Sequence, residues 1–175
     1  MHKRVLFPGR FQPVHNGHLH AVRWLLDRSE EVIILVTAAQ YNFTFDNPFT
    51  AGERIEMLHL AFKEFWHRLY VIPLDNIPDN SLWLRYVERR VPRFEAICTG
   101  NPFVRLLAEA CKYNVVEPPQ HQRENLQGRK IREAIAKGEE WERMVPGPVA
   151  EYIKEIKGVE RIRQLSLSEN VVVSL

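Results

Sequence analysis

Cysteine is scarce in this 175-residue sequence, which has only Cys98 and Cys111 and no CxxC pair. That scarcity excludes a disulfide scaffold and gives no zinc signature, so reduced thiols are expected. No apolar run approaches the roughly 18 residues that a membrane-spanning helix needs. The basic residues 2–4 precede only three apolar residues before Pro8, too few for a secretory signal. We therefore expect a cytoplasmic protein with no membrane partner.

Excess charge is also missing, since 24 Lys and Arg nearly balance 22 Asp and Glu for a formal charge of +2. A charge this small excludes a uniformly basic surface, so no nucleic-acid partner is expected and anion binding must come from local clusters. Hydrophobic residues make up 45% and charged residues 26%, which is typical of a globular chain rather than a disordered one. The length predicts one domain over residues 1–165, followed by a C-terminal tail over 166–175.

Short apolar runs alternate with helical patterns along the chain. Strands are predicted at 5–7, 32–36, 70–72, 94–99 and 114–116. Helices are predicted at 17–28, 50–65, 80–91, 101–112, 128–137, 148–156 and 161–165, with N-caps at Thr50, at Asn80 or Ser81, and at Asn101. The alternation predicts an α/β, Rossmann-like fold: a five-stranded parallel sheet with helices on both faces, plus C-terminal helices. Ligands bind such sheets at the carboxyl ends of the strands, so the loops there are the candidate site.

The loop between the first strand and the first helix carries the clearest chemical signal. Its sequence from Gly9 to His18 is GRFQPVHNGH, which is neither a GxGxxG fingerprint nor a P-loop. His15 and His18 stand where a helix begins, and there the backbone N–H groups and the helix dipole favour an anion. Gly17 would let a phosphate approach the backbone closely. Two metal ligands are the alternative, but no third ligand is visible nearby, so the context favours phosphate.

A second basic cluster, Arg129, Lys130 and Arg132, lies at the start of a later predicted helix. Cations are favoured at the C-terminus of a helix rather than at its N-terminus. A local rule broken in this way points to function, because a bound triphosphate would offset the repulsion. On spacing alone, a solvated basic helix face is an equally good interpretation.

The stretch from Gly9 to His18 resembles the signature of the nucleotidylyltransferase superfamily with the HxGH motif. Further blocks, among them residues 47–54, 80–83, 100–102 and 158–161, resemble the archaeal nicotinamide-nucleotide adenylyltransferases over nearly the whole chain. The resemblance implies transfer of AMP from ATP to nicotinamide mononucleotide, giving NAD and pyrophosphate, by direct in-line displacement. Such chemistry needs alignment of two polyanions and neutralisation of charge, not a nucleophilic side chain. Magnesium is implied as a cofactor that arrives with ATP.

The resemblance also implies roles for individual residues. The implied catalytic residues are His15, His18 and Arg10, with His18 the main stabiliser of the α-phosphate in the transition state. The implied ATP- and phosphate-binding residues are Gly9, Gln12, Gly17, Gly100, Asn101, Arg123, Arg129, Lys130 and Arg132. The implied nicotinamide-nucleotide-binding residues are Gln40, Arg54, Asn80 and Trp83, and no protein metal ligand is implied. An indole face suits the cationic pyridinium ring that Trp83 would contact.

Several of these residues have a purely structural interpretation beside the functional one. Arg54 fits a solvated helix face, Trp83 fits a core position, and Asn101 fits a plain helix N-cap. The sequence departs from the archaeal pattern at Gln127 and Arg129, which replace hydroxyl residues, at Asn76, which replaces Asp, and at residues 41–43.

Other acceptors would keep the same chemistry, namely nicotinate mononucleotide, phosphopantetheine or FMN. A nucleotide-sensing module without turnover is an alternative of a different class, and fold alone does not separate the two. The residues His15, Gly17 and His18 favour an enzyme, because a sensor needs no groups directed at a leaving pyrophosphate. The apolar residues 171–173 suggest an intersubunit contact, so a homo-oligomer is expected.

Overall fold

The structure is a computed structural model that describes residues 1–119 and 127–170. Its strands are β1 (His2–Gly9), β2 (Ser29–Val36), β3 (Leu69–Pro73), β4 (Ala96–Cys98) and β5 (Asn114–Val116). Its α-helices are α1 (Asn16–Leu26), α2 (Ala51–Ala61), α3 (Trp83–Glu88), α4 (Pro102–Ala110), α5 (Gly128–Lys137), α6 (Gly147–Glu155) and α7 (Gly158–Ser168). Short 3-10 helices lie at Lys63–Arg68, Asn80–Leu82 and Glu142–Met144. None of the described helices combines the length and apolar character that a membrane-spanning segment requires.

The described residues divide into two compact units. The first contains residues 1–10, 20–39 and 64–119. The second contains residues 11–19, 40–63 and 127–170. The first unit holds every described strand, and the second is built from helices and loops.

The sheet of the first unit is parallel throughout, with strand order β3-β2-β1-β4-β5. This confirms the predicted five-stranded parallel sheet. Both alternating sets of side chains over residues 32–36 are fully buried, because β2 is covered on both faces. One core cluster joins Leu6 and Ile33 of the sheet to Leu84 of α3 and Ala108 of α4. Strand order reverses between β1 and β4, and a crevice for ligands is expected at the carboxyl ends of those strands.

The second unit packs α2 against α6, and α7 against both α5 and α6. Its buried residues include Met57, Ile131, Ile153 and Ile162. Gly158 begins α7 at a position where a Cβ would lie 2.9 Å from the ring of Phe49 and 3.0 Å from the carbonyl oxygen of Ile153. A glycine is therefore required for this close approach of α7.

The structure corrects several predicted boundaries of the first unit. β1 and β2 begin earlier than their apolar runs, because His2 pairs with Ser29 in the ladder. β4 is shorter than the predicted 94–99, because only Ala96–Cys98 pairs with the neighbouring strands. The side-chain cap in this region is Asp79, not Asn80 or Ser81: its carboxylate accepts the N–H of Ser81 at 2.9 Å and caps the 3-10 helix Asn80–Leu82 that precedes α3. The α-helix after it ends at Glu88 rather than near residue 91.

The helices of the second unit also differ from the prediction at their ends. The helix after Thr50 ends at Ala61, and Phe65 lies in the 3-10 helix that follows. The last helix is longer than the predicted 161–165, since α7 runs over Gly158–Ser168 and includes part of the predicted tail. The apolar residues 171–173, on which the intersubunit contact was predicted, lie outside the described residues.

Candidate active site

The loop that follows β1 opens with a bulky residue in a left-handed conformation. Phe11 has a φ of 55°, which is disfavoured for an aromatic residue and must be held by its surroundings. Its side chain is buried, and its ring centroid lies 4.6 Å from that of His18. Packing on the histidine therefore helps to hold the turn that leads into α1.

The two histidines of the HxGH motif stack on each other, with ring centroids 3.6 Å apart and an interplanar angle of 20°. The N–H of Gly17 donates to Nδ1 of His15 at 3.1 Å, and the N–H of His15 donates to Nδ1 of His18 at 3.1 Å. Because Nδ1 is an acceptor in both neutral rings, the proton of each ring lies on Nε2. The backbone thus makes each Nε2–H the hydrogen-bond donor of its imidazole.

Burial keeps both rings neutral. It lowers the pKa of His15 to about 4, and the side chain is only 8% exposed. Burial, with the neighbouring His15 ring as a second cause, holds the pKa of His18 well below its usual value. A polyanion beside the rings would act in the opposite direction, because a nearby negative charge favours the protonated form. The pair can therefore donate as neutral groups and take up positive character when charge develops on a bound phosphate.

Arg132 of α5 is joined to the same loop. Its side chain is 2% exposed, and its Nη1 donates to the carbonyl oxygen of Gln12 at 2.8 Å. At Gly128, a Cβ would lie 3.1 Å from both that oxygen and Nη1 of Arg132, so the glycine permits the close approach of α5 to the loop. The structure thus brings the predicted cation Arg132 together with the histidine loop.

The side-chain amide of Gln12 makes two hydrogen bonds with the backbone of Phe49, one as donor and one as acceptor. Nε2 donates to the Phe49 carbonyl at 2.9 Å, and Oε1 accepts the Phe49 N–H at 2.9 Å. These bonds give Gln12 a role in holding the loop to residues 48–50. Its predicted phosphate contact stays a prediction.

The other two cations of the basic cluster, Arg129 and Lys130, are exposed. Arg129 Nε donates to Glu133 at 2.9 Å, and its Nη1 lies 3.9 Å from Oδ1 of Asp46. Asp46 also accepts from Nη2 of Arg132 at 3.3 Å. The sequence reasoning missed Asp46, and the available signal was a single acidic residue in the polar loop before residues 47–54.

Arg54 is fully buried, so its interpretation as part of a solvated helix face is wrong. Its Nε donates to the carbonyl oxygen of Thr50 at 3.2 Å. The capping box at the start of α2 is confirmed, because the Thr50 hydroxyl accepts from Glu53 N–H at 3.1 Å and the Glu53 carboxylate accepts from Thr50 N–H at 2.9 Å. The carboxylate of Glu53 also accepts two bonds from Arg161, at 2.7 and 2.9 Å. Although burial opposes it, these bonds lower the pKa of the Glu53 carboxyl.

The first unit contains a cavity of about 180 Å³ that two of the predicted acceptor-binding residues line. Trp83 and Asn80 form part of its wall, together with Thr37, Asn76, Ile77, Phe103, Val104 and Leu107. Trp83 also packs against the core cluster, which confirms its structural interpretation, and its contact with a nicotinamide ring stays a prediction. The N–H of Ala38 donates to Oδ1 of Asn76 at 3.2 Å, which makes Nδ2 the donor end of that amide. Every side chain named in this lining is uncharged.

The remaining predicted residues occupy separate places. Gly9 ends β1, and its carbonyl oxygen accepts the N–H of Thr37 at 2.9 Å. Asn101 is a helix N-cap, as one interpretation predicted, and accepts the N–H of Phe103 at 2.9 Å. Gly100 beside it is exposed, as are Arg10 and Gln40. Their binding roles stay predictions, and Arg123 lies outside the described residues.

Comparisons with known proteins identify the family to which this chain belongs. A family model described as cytidylyltransferase-like matches residues 6–134. A nicotinamide-nucleotide adenylyltransferase of Pyrococcus furiosus is 49% identical over 168 residues, covering 94% of this chain and 89% of the relative. One of Pyrobaculum aerophilum is 47% identical over 171 residues, covering 95% and 96%. The chain belongs to the cytidylyltransferase-like family and, within it, to the nicotinamide-nucleotide adenylyltransferases.

A solved structure supports the fold independently of close sequence similarity. It is a bifunctional NMN adenylyltransferase/ADP ribose pyrophosphatase from Francisella tularensis, complexed with AMP and a manganese ion. The TM-score is 0.82 at 18% identity, and the match covers 97% of this chain. This chain spans about half of that protein, 53% of its length. The likeness confirms the Rossmann-like fold.

Proposed function

We propose that this chain transfers the AMP group of ATP to nicotinamide mononucleotide, with NAD and pyrophosphate as products. A phosphate oxygen of the mononucleotide forms a bond to the α-phosphorus of ATP, and the bond from that phosphorus to the oxygen bridging to the β-phosphate breaks. The observation that carries the proposal is the stacked pair His15 and His18, whose Nδ1 atoms are both occupied by backbone N–H groups. Neutral Nε2–H donors fixed in this way suit a phosphate that gains charge during the reaction.

The cations of α5 supply the second part of the proposed mechanism. Arg132 is bonded to the histidine loop, and Arg129 and Lys130 lie on the same helix. We assign them to the β- and γ-phosphates, where they would orient the triphosphate and stabilise the leaving pyrophosphate. No covalent enzyme intermediate is needed, because the work is alignment and charge stabilisation.

The cavity beside Trp83 is the proposed site of the nicotinamide ring. An indole face attracts the cationic pyridinium ring of the mononucleotide. Asn76 lines the same cavity, and its Oδ1 accepts the N–H of Ala38 at 3.2 Å. The carboxylate of nicotinate would find no positively charged side chain in this lining, so it would gain no ion pair there. These features favour nicotinamide mononucleotide over nicotinate mononucleotide as the acceptor.

Magnesium is proposed to arrive with ATP. Within residues 1–119 and 127–170, no three His, Cys, Asp or Glu side chains lie together as metal ligands. Phosphate oxygens and water would therefore provide most of the ligands, which is how this ion is often bound. When bound, it would neutralise charge on the triphosphate. A cytoplasmic location and a homo-oligomeric state remain predictions from the sequence.

The test is turnover of ATP by the purified full-length chain with a panel of acceptors, followed by release of pyrophosphate. The panel contains nicotinamide mononucleotide, nicotinate mononucleotide, phosphopantetheine and FMN. We expect the highest kcat/KM with nicotinamide mononucleotide. A different preferred acceptor would overturn the assignment of the cavity, and nucleotide binding without pyrophosphate release would indicate a sensing module.

A further inference from the structure

Asp46 is an acidic side chain placed on the cations that the proposed function assigns to the triphosphate. Its Oδ1 lies 3.3 Å from Nη2 of Arg132 and 3.9 Å from Nη1 of Arg129. The two arginines differ in environment, because Arg132 is 2% exposed and Arg129 is 57% exposed. A carboxylate thus bridges the two guanidinium groups of the basic cluster.

The position of this carboxylate is set by the backbone of its own turn. The N–H groups of Thr44 and Asn47 donate to each other's carbonyl oxygens, at 3.3 and 3.2 Å. The N–H of Phe45 donates to Glu169 at 2.7 Å, and the Phe45 ring centroid lies 5.7 Å from the guanidinium carbon of Arg132. These contacts anchor the residues on both sides of Asp46 beside the basic cluster.

Arg132 and Asp46 differ in exposure, and this difference determines how strongly the ion pair between them is held. A buried guanidinium needs a partner anion, since leaving it uncompensated is strongly unfavourable. Asp46 supplies that anion, but it is 60% exposed, and exposed carboxylates contribute only weakly to an ion pair. A ligand with several negative charges would therefore replace it readily on Arg132 and Arg129.

We propose that Asp46 is an internal competitor of polyphosphate: its carboxylate and a bound triphosphate or pyrophosphate contend for the same two arginines. The proposal depends on the function proposed above. Competition lowers the affinity of the site for pyrophosphate, and the return of Asp46 to Arg132 favours release of this product after the transfer. Asp46 thereby sets the balance between holding ATP and releasing pyrophosphate.

The test compares Asp46→Asn with a matched control, Glu133→Gln, in the full-length chain. Both substitutions remove one carboxylate from Arg129, but only Asp46 also contacts Arg132. Binding of inorganic pyrophosphate is measured by calorimetry, and KM is measured for ATP and for the mononucleotide. We expect Asp46→Asn to tighten pyrophosphate binding about fivefold, the scale of one partly exposed ion pair. The KM for ATP should fall and the KM for the acceptor should stay unchanged, while Glu133→Gln stays within about twofold of the wild type.

A second variant separates competition from a structural effect. Asp46→Glu keeps the charge, so its pyrophosphate affinity should return towards that of the wild type. Unchanged or weaker pyrophosphate binding by Asp46→Asn, with normal binding by the wild type, would overturn the inference and leave the proposed function standing. If the wild type binds neither pyrophosphate nor ATP, the assignment of the basic cluster fails and the inference fails with it.

Discussion

Acidification from pH 7 to pH 5 should destabilise this protein through the stacked histidines. Burial holds the pKa of His15 at about 4 in the folded chain, whereas an unfolded histidine titrates near 6.5. The unfolded state therefore binds a proton more readily than the folded state, and protons favour unfolding. The contribution of the neutral ring is fully present above about pH 6.5 and is lost as the pH falls towards 4.

The size of the effect follows from the two pKa values. Between pH 7 and pH 5, protonation of the unfolded His15 removes about 2 kcal/mol from the free energy of unfolding. His18 acts in the same direction, because its pKa is also lowered by burial. A loss of this size is a substantial part of the roughly 5–15 kcal/mol that stabilises a typical domain.

Urea unfolding at pH 7, 6 and 5 would measure this loss in the wild type and in His15→Gln. Glutamine does not titrate, so the variant should lose about 2 kcal/mol less than the wild type over this range, whatever its stability at pH 7. His67→Gln, at an exposed histidine, is the control and should follow the wild-type pH dependence. Parallel pH profiles for the wild type and His15→Gln would refute the reasoning.

Three further substitutions test the site and the fold. His18→Ala should lower turnover about 10²–10³-fold, the scale of losing one donor to transition-state charge, and near-normal turnover would exclude that role. Trp83→Ala should raise the KM for nicotinamide mononucleotide more than the KM for ATP, and the opposite pattern would place the ring elsewhere. Glu53→Gln keeps a residue suited to the capping box but leaves the half-buried Arg161 without its carboxylate. This substitution should lower the free energy of unfolding in urea by about 3 kcal/mol. The control Glu140→Gln, in an exposed ion pair, should lower it by less than about 0.5 kcal/mol. Equal losses for the two variants would contradict this account.

The parallel sheet could be predicted because its signals are local. The run of residues 32–36 is apolar at every position, as a strand buried on both faces requires. Two helix starts were also marked in the sequence, by Thr50 with Glu53 and by Asn101 with Pro102. Each of these signals involves residues no more than a few positions apart, so pattern alone was sufficient.

Other helix ends could not be predicted from local pattern. Three consecutive residues, Asp79, Asn80 and Ser81, can each cap a helix, and only the structure shows which one accepts the hydrogen bond. The apolar period also continues past the end of α2 to Phe65. Phe62 leaves the helix at a φ of −123° without a glycine or proline to mark the change.

In the candidate site, too, features set by neighbouring residues could be predicted, and contacts between residues far apart in the sequence could not. His15 and His18 could be assigned to a helix start because their loop lies between a predicted strand and a predicted helix. Their tautomers could not, because these depend on which backbone N–H meets each Nδ1. The bonds from Gln12 to Phe49 and from Arg132 to Asp46 join residues 37 and 86 positions apart. Such contacts arise only when the chain has folded, so no window of sequence contains them.

The main chain, rather than a third side chain, dictates where the proton of each imidazole resides. The backbone N–H groups of Gly17 and His15 are present whatever the side chains elsewhere in the chain. The tautomer of each histidine is therefore set by the backbone conformation of the loop. The wall around Trp83 comes from other stretches of the sequence. Substitutions in that wall would therefore leave unchanged the backbone N–H groups that fix the tautomers of His15 and His18.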